Sequence, residues 1–275
     1  IIDPVVRLWG TYYGGKSYTG GNVGYSCAAD SSGNIYLSGF ARATTGIATT
    51  GAHQTTYGGG VWDAFLVKFN SSGARQWGTY YGGTSVDAGY SCATDNSGNV
   101  YLAGQTNSAS GIATTGAHQT TFGGSSDAFL VKFNSSGARQ WGTYYGGTGG
   151  DYGYSCATDT SGNVYLAGYT GSTTGTATTG AHQATFGGTM DAFLVKFNSS
   201  GARQWGTYYG GTGYDAGYSC ATVASGNVYL AGGTGSTSGI ATTGAHQTTI
   251  GGKDDAFLVK FNSSGVRQWG TYYGG

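Results

Sequence analysis

Four histidines, four cysteines and a set of aspartates are the groups in this chain that could do chemistry, and each set falls at one repeated place. His53, His118, His182 and His246 stand in Gly-Ala-His-Gln, and Cys27, Cys92, Cys156 and Cys220 stand in Gly-Tyr-Ser-Cys-Ala. Asp63, Asp127, Asp191 and Asp255, 64 residues apart, each open an Ala-Phe-Leu-Val-Lys-Phe run. A nucleophilic or acid–base catalyst needs different groups brought together in one asymmetric site. Groups that recur in near-identical surroundings do not supply one, and no Ser-His-Asp or paired-carboxylate constellation stands out. The expectation is a protein that is not an enzyme.

Each set also has a plainer use. Equivalent positions in neighbouring repeats are normally too far apart for the roughly 5.5 Å Cα separation of a disulfide, and the close Cys pairs of zinc sites are missing. The cysteines therefore read as free, buried, small apolar residues. An imidazole can pack, hydrogen-bond or titrate, so the histidines read either as anchors of a long loop or as ligand contacts. Asp63, Asp127, Asp191 and Asp255, with Asp87, Asp151 and Asp215 (Asn22 in the first copy), offer the oxygens calcium prefers. Aspartate also closes turns by accepting from nearby backbone N–H groups, and no D-x-D-x-D-G loop is present. Calcium is thus the one cofactor this set would take, with turn closure as the other reading. Asp30, Asp95 and Asp159 give way to Val223 in the last copy, so that position is not essential to every repeat. Asn70, Asn134, Asn198 and Asn262 begin Asn-Ser-Ser sequons at a hairpin tip; they are N-glycosylation candidates or simply turn formers.

The elements that position these groups follow from the repeat. The string from Asp127 to Gly147 returns at Asp63, Asp191 and Asp255, with Val266 as its one internal change. Two alternating runs flanking Asn-Ser-Ser-Gly predict a hairpin. In the second unit the pattern predicts four strands: A at 89–95, B at 99–104, C at 127–133 and D at 139–147. Both faces of this meander are apolar, Val100 and Leu102 being offset from Tyr101 and Ala103. Such a sheet must lie between like sheets, and radial stacking of four-stranded sheets is the β-propeller solution; a linear solenoid is the runner-up. The expected architecture is all-β: one domain, 1–275, in which four near-identical blades span 16–83, 84–147, 148–211 and 212–275. An extra copy of the outer strand lies in 1–15. Strand A, with the cysteine, should be innermost, and strand D, with Trp-Gly-Thr-Tyr-Tyr, outermost.

Twelve Lys plus Arg balance twelve acids, so bulk charge gives no reason to expect nucleic acid or an anionic membrane surface as a partner. No apolar run approaches the roughly 20 residues of a membrane span, which argues against membrane insertion. Ile1-Ile-Asp-Pro-Val-Val lacks the basic start and apolar core of a signal peptide and reads as a processed or excised end.

The strings Asp-x-Ser-Gly-Asn-Val-Tyr-Leu-Ala-Gly, Gly-Ala-His-Gln-Thr-Thr-Phe-Gly-Gly-x-x-Asp-Ala-Phe-Leu-Val-Lys-Phe and Trp-Gly-Thr-Tyr-Tyr-Gly-Gly resemble the SBBP family of bacterial beta-propeller repeats over nearly the whole chain. The resemblance implies a propeller on a secreted or cell-surface protein and carries no common catalytic residues. Where that family has an aromatic in Gly-Ala-x-Gln, this chain has its four histidines.

Differences among the copies cluster in the D-to-A and B-to-C connections, which leave the same end of an up-and-down blade. Loops on a rigid scaffold carry much of protein recognition. This variable face is therefore a candidate glycan-binding surface, with His53, His118, His182, His246, Phe122, Tyr152 and Tyr169 among its contacts. A second feature is the surplus strand: five copies of D stand against four sets of A, B and C. Either Trp9, Tyr12 and Tyr13 close the ring beside the last strand C, or Trp269, Tyr272 and Tyr273 pair locally and leave the N-terminal copy spare. A spare strand is a template for a second chain, and passing it head to tail makes rings or filaments. The expected function is a non-enzymatic, self-associating structural protein of the cell surface or exterior. A glycan-binding module and a piece of a longer array are the alternatives.

Overall fold

The computed structural model describes residues 8–16 and 21–275. The start of the extra strand copy, 1–7, and most of the first D-to-A connection, 17–20, lie outside them. Sixteen strands form four antiparallel four-stranded sheets, and no helix occurs among the described residues. Blade one is β1 (Val23–Ala29), β2 (Ile35–Ala41), β3 (Asp63–Phe69) and β4 (Arg75–Tyr81). Blade two is β5 (Asp87–Thr94), β6 (Val100–Thr106), β7 (Asp127–Phe133) and β8 (Arg139–Tyr145). Blade three is β9 (Asp151–Thr158), β10 (Val164–Thr170), β11 (Asp191–Phe197) and β12 (Arg203–Tyr209). Blade four is β13 (Asp215–Thr222), β14 (Val228–Thr234), β15 (Asp255–Phe261) and β16 (Arg267–Tyr273). Within each blade the strands lie in chain order, as the repeat predicts.

The strand limits shift for local reasons. Strand A begins at Asp87 because the Asp87 carboxylate accepts hydrogen bonds from the Thr106 and Ser108 hydroxyls, clamping the start of A to the end of B. Strand D stops at Tyr145, since Gly147 N donates to Asp151 Oδ2 at 2.9 Å and turns the chain toward the next blade.

Strand A is also bulged. Gly89 pairs with Gly104 and Ser91 with Ala103, leaving Tyr90 as the extra residue; Tyr25, Tyr154 and Tyr218 are the equivalents in the other blades. A bulge re-aims a side chain out of the regular alternation. It also brings backbone against backbone: a Cβ on Gly104 would lie 1.9 Å from Ala88 O, which is why strand B carries glycine there.

Packing between blades is one interface used three times. The trailing face of blade one (Tyr36, Ala64, Leu66, Trp77, Tyr81) meets the leading face of blade two (Cys92, Leu102, Phe129, Val131, Phe133) in one buried cluster. Blades two and three, and three and four, repeat it with the equivalent residues. Each inner strand rests on the first three strands of the blade before: β5 on β1–β3, β9 on β5–β7, β13 on β9–β11. Inner strands are also tied by hydrogen bonds, Thr158 Oγ1 donating to Thr94 O at 2.7 Å and Thr222 Oγ1 to Thr158 O at 2.6 Å.

No such packing joins β1 to β13, β14 or β15. Leu258 is 37 % and Tyr273 69 % exposed, whereas Leu66, Leu130, Leu194, Tyr81, Tyr145 and Tyr209 are essentially inaccessible. Cys27 is exposed where Cys92, Cys156 and Cys220 are buried. The four blades thus form an arc with an uncovered leading face on β1 and an uncovered trailing face on blade four.

Candidate functional site

The repeated polar residues are scaffold. Asp127 accepts hydrogen bonds from Gln119 Nε2 and Gly123 N at 2.9 Å and from Gly124 N at 3.2 Å. Asp191 and Asp255 do the same with Gln183 and Gly187, and with Gln247 and Gly251. Asp63 takes Gly58 N and, at 3.4 Å, Gln54 Nε2. Burial lifts Asp63 to about 7 and Asp127 and Asp191 to about 6. Of the two uses open to these aspartates, turn closure is the one the hydrogen bonds display. Among the described residues no group of three or more His, Cys or acidic side chains is arranged for a metal ion. At the hairpin tips Asn134 Oδ1 accepts from Ser136 N and Ala138 N, and Asn70, Asn198 and Asn262 repeat the turn.

The histidines do not sit on the variable face. The long B-to-C connection runs along the outer edge of its own strand D, with Thr114 N donating to Gly142 O and Tyr144 N to Gln119 O. That path covers an edge strand and carries the imidazole toward the opposite end of the blade. There His118 lies 6.0 Å, centroid to centroid, from Tyr145 and 5.8 Å from Phe197 of the next blade. His53 and His182 repeat this against Tyr81 and Phe133, and against Tyr209 and Phe261. His246 stacks on Tyr273 at 6.1 Å with no following blade. The imidazole therefore fills the place of an aromatic, and burial together with a neighbouring arginine pushes His53, His118 and His182 down to about 4. Phe122 packs edge-on against Tyr144, away from Tyr152 and Tyr169. The expected glycan-binding set is thus split, because the connections that carry the four histidines and Phe122 fold back over strand D, away from Tyr152 and Tyr169.

Tyr152 and Tyr169, 4.8 Å apart, belong instead to an aromatic belt on the inner strands. The bulge tyrosines succeed one another at 5.3 Å (Tyr25 to Tyr90), 5.0 Å (Tyr90 to Tyr154) and 5.8 Å (Tyr154 to Tyr218). Phe40 and Trp62 extend the belt in blade one, with Arg42 over the indole. Sequence reasoning missed the belt, although Tyr two residues before each Cys was its signal.

The surplus strand resolves in favour of local pairing. β16 pairs with β15, and residues 8–16 join no sheet. Trp9 Nε1 donates to Ser71 O at 3.1 Å, as Trp77 does to Ser135 O and Trp141 to Ser199 O at the same distance. Tyr13 OH donates to Ile47 O at 2.7 Å, as Tyr81 does to Ile112 O at 2.6 Å. Tyr13 also lies 5.3 Å from Phe65, matching 5.2 Å for Tyr81 and Phe129. Residues 9–13 therefore occupy, on the leading face of blade one, the seat that each strand D takes on the blade after it. Tyr12 is fully exposed where Tyr80, Tyr144 and Tyr208 are buried. Those three donate their hydroxyls to a loop of their own blade, at Ala43, Ser108 and Ser172 O. The candidate site is this pair of ends: Trp9, Tyr12 and Tyr13 at one, and Trp269, Tyr273 and Leu258 at the other. Tyr272 stays buried within its own blade.

No curated protein matches the chain. The model of the SBBP family, described as a beta-propeller repeat, matches residues 76–111 and 140–174. Each stretch runs from strand D of one blade through strands A and B of the next, a unit that the remaining blades copy, so two of the chain's repeats match the SBBP beta-propeller repeat family.

Proposed function

We propose that this repeat module is a non-enzymatic structural protein that associates with further copies of itself, head to tail, through its two open ends. The reading rests on one observation: the chain presents separately both halves of an interface that it makes three times within itself. The trailing half, Tyr229, Leu258, Trp269 and Tyr273, has the chemistry of Tyr165, Leu194, Trp205 and Tyr209, which blade four covers. A contact between unlike surfaces of identical chains closes into a ring or continues as a filament according to its rotation. The setting we assign, secreted or cell surface, rests on the family resemblance alone.

Light scattering over a concentration series, with negative-stain images, tests the proposal. The expected outcome is particles larger than the 27.9 kDa chain, reduced to single chains by Leu258→Arg, which places a charge on the trailing face without touching the three internal interfaces. A wild-type chain that stays single at every concentration would favour the second reading, in which the same two faces are covered by further blades of one longer chain. The seating of residues 9–13 is the observation that supports that reading.

A further inference from the structure

We infer that the junctions between blades are binding sites for neutral saccharides, one per junction. At the junction of blades two and three a cavity of 440 Å³ opens between strand D, the B-to-C connection and the next blade's hairpin tip, within the roughly 300–1,000 Å³ of small-molecule sites. Lys132, Gln140, Trp141, Thr114, Thr115 and Ser200 line it. The junction of blades one and two has its counterpart of 410 Å³ with Lys68, Gln76 and Trp77, and that of blades three and four a narrower one of 150 Å³ with Gln204 and Trp205. All three lie at the hairpin-tip end, opposite the variable loops.

The polar groups define the ligand. Lys132 is only 8 % exposed, and its ammonium, with three N–H donors, makes one hydrogen bond, to Ser199 O at 3.1 Å. Asp95 Oδ2 at 3.8 Å offsets its charge, so the floor of the cavity donates hydrogen bonds without favouring an anion. Gln140 uses one amide N–H on Ala138 O at 3.1 Å and keeps its second N–H and its carbonyl oxygen for a ligand. The Thr115 hydroxyl both donates and accepts. The edge of Trp141, with Gly116 and Ala117, supplies an apolar wall. A ligand that pairs with such a set carries several hydroxyls, each able to donate and accept, on a compact frame with C–H faces. That is a neutral pyranose or a short chain of them. Three such cavities spaced along one rigid arc favour a polymeric or clustered glycan over a free monosaccharide through effective concentration.

Saturation-transfer NMR of the whole chain with glucose, galactose, mannose, N-acetylglucosamine and their β-linked dimers tests this, followed by calorimetry on the best binder. The expected result is transfer from at least one neutral sugar. Gln76→Ala/Gln140→Ala/Gln204→Ala should lower affinity at least tenfold with an unchanged circular dichroism spectrum, and Tyr152→Ala at the opposite end should leave it unchanged. Thr50→Trp/Thr115→Trp/Thr179→Trp, which fills the cavities from their exposed side, should also abolish binding if the glutamine variant proves unstable. The inference is overturned if no sugar shows transfer at millimolar concentration or if both triple variants bind as the wild type does. It is equally overturned if glucuronate or sulfate binds more tightly than every neutral sugar.

Discussion

A histidine that takes the place of an aromatic ring should titrate like a buried base. His53, His118 and His182 are held near 4, below the usual imidazole value, by burial and by Arg139, Arg203 and Arg267. A group whose folded value is depressed contributes stability that is present above its unfolded value, near 6.5, and is lost as pH falls toward 4. Asp63, Asp127 and Asp191 work in the opposite sense. Burial raises them to about 7, 6 and 6, so their contribution is complete below the unfolded value near 3.9 and is lost as pH rises through 6 to 7. Between pH 4 and 6.5 the two sets oppose each other in the wild type. In His53→Phe/His118→Phe/His182→Phe the imidazole cost on acidification disappears while the aromatic contacts remain. The melting temperature of that variant, relative to the wild type, should therefore be higher at pH 4.5 than at pH 7.5. A gap that stays constant between the two pH values in scanning calorimetry would show that these histidines are not buried bases in the folded chain.

At the scale of the strand, what the sequence made legible is what has a period. The alternation in Ala-Phe-Leu-Val-Lys-Phe and the Asn-Ser-Ser-Gly turn placed strand C at its observed limits, Asp127–Phe133. Apolar residues on both faces stacked the sheets face to face, although the first and the last keep one open face. The bulge at Tyr90 was not legible, because one extra residue in a glycine-rich strand leaves no mark on a period of two. Nor was the path of the B-to-C connection: its direction is set by backbone hydrogen bonds to Gly142 and Tyr144, not by its own pattern, and this moved the histidines away from the expected face. The bulge makes a specific demand on strand B. Gly104→Ala would put a methyl 1.9 Å from Ala88 O and 2.8 Å from the Phe129 ring, so strand A must move. The expected cost is about 1–3 kcal/mol, as for other overpacked sites, read as a lower urea midpoint. The Tyr90 ring resonances should shift with it, since Tyr90 stacks on Tyr154 at 5.0 Å. Gly116→Ala has open space around the added carbon but a φ of +77°, so it should cost less and leave Tyr90 untouched.

For the whole molecule, a count of repeats yields the blades but not the closure, since near-identical units leave the angle between them unspecified; that angle is set by how Trp141, Tyr145 and Phe197 nest at each junction. The surplus strand copy was legible as a count, whereas its seat on the leading face of blade one was not. That seat decides how association must work. If a second chain brings its blade four against blade one, its own β16 needs the place that residues 9–13 occupy, because Trp269 and Tyr273 are the counterparts of Trp9 and Tyr13. The N-terminal segment then acts as a plug that competes with the incoming strand. Removing it uncovers Phe65, Val67 and Phe69, now covered in part by Trp9 and Tyr13. Deletion of residues 1–15 should therefore promote association, giving larger particles at lower protein concentration than the full chain gives, while the same deletion combined with Leu258→Arg should return single chains. Light scattering and electron microscopy read both outcomes. If the deletion leaves particle size unchanged, or if Leu258→Arg fails to reverse its effect, the open ends of the arc do not meet each other.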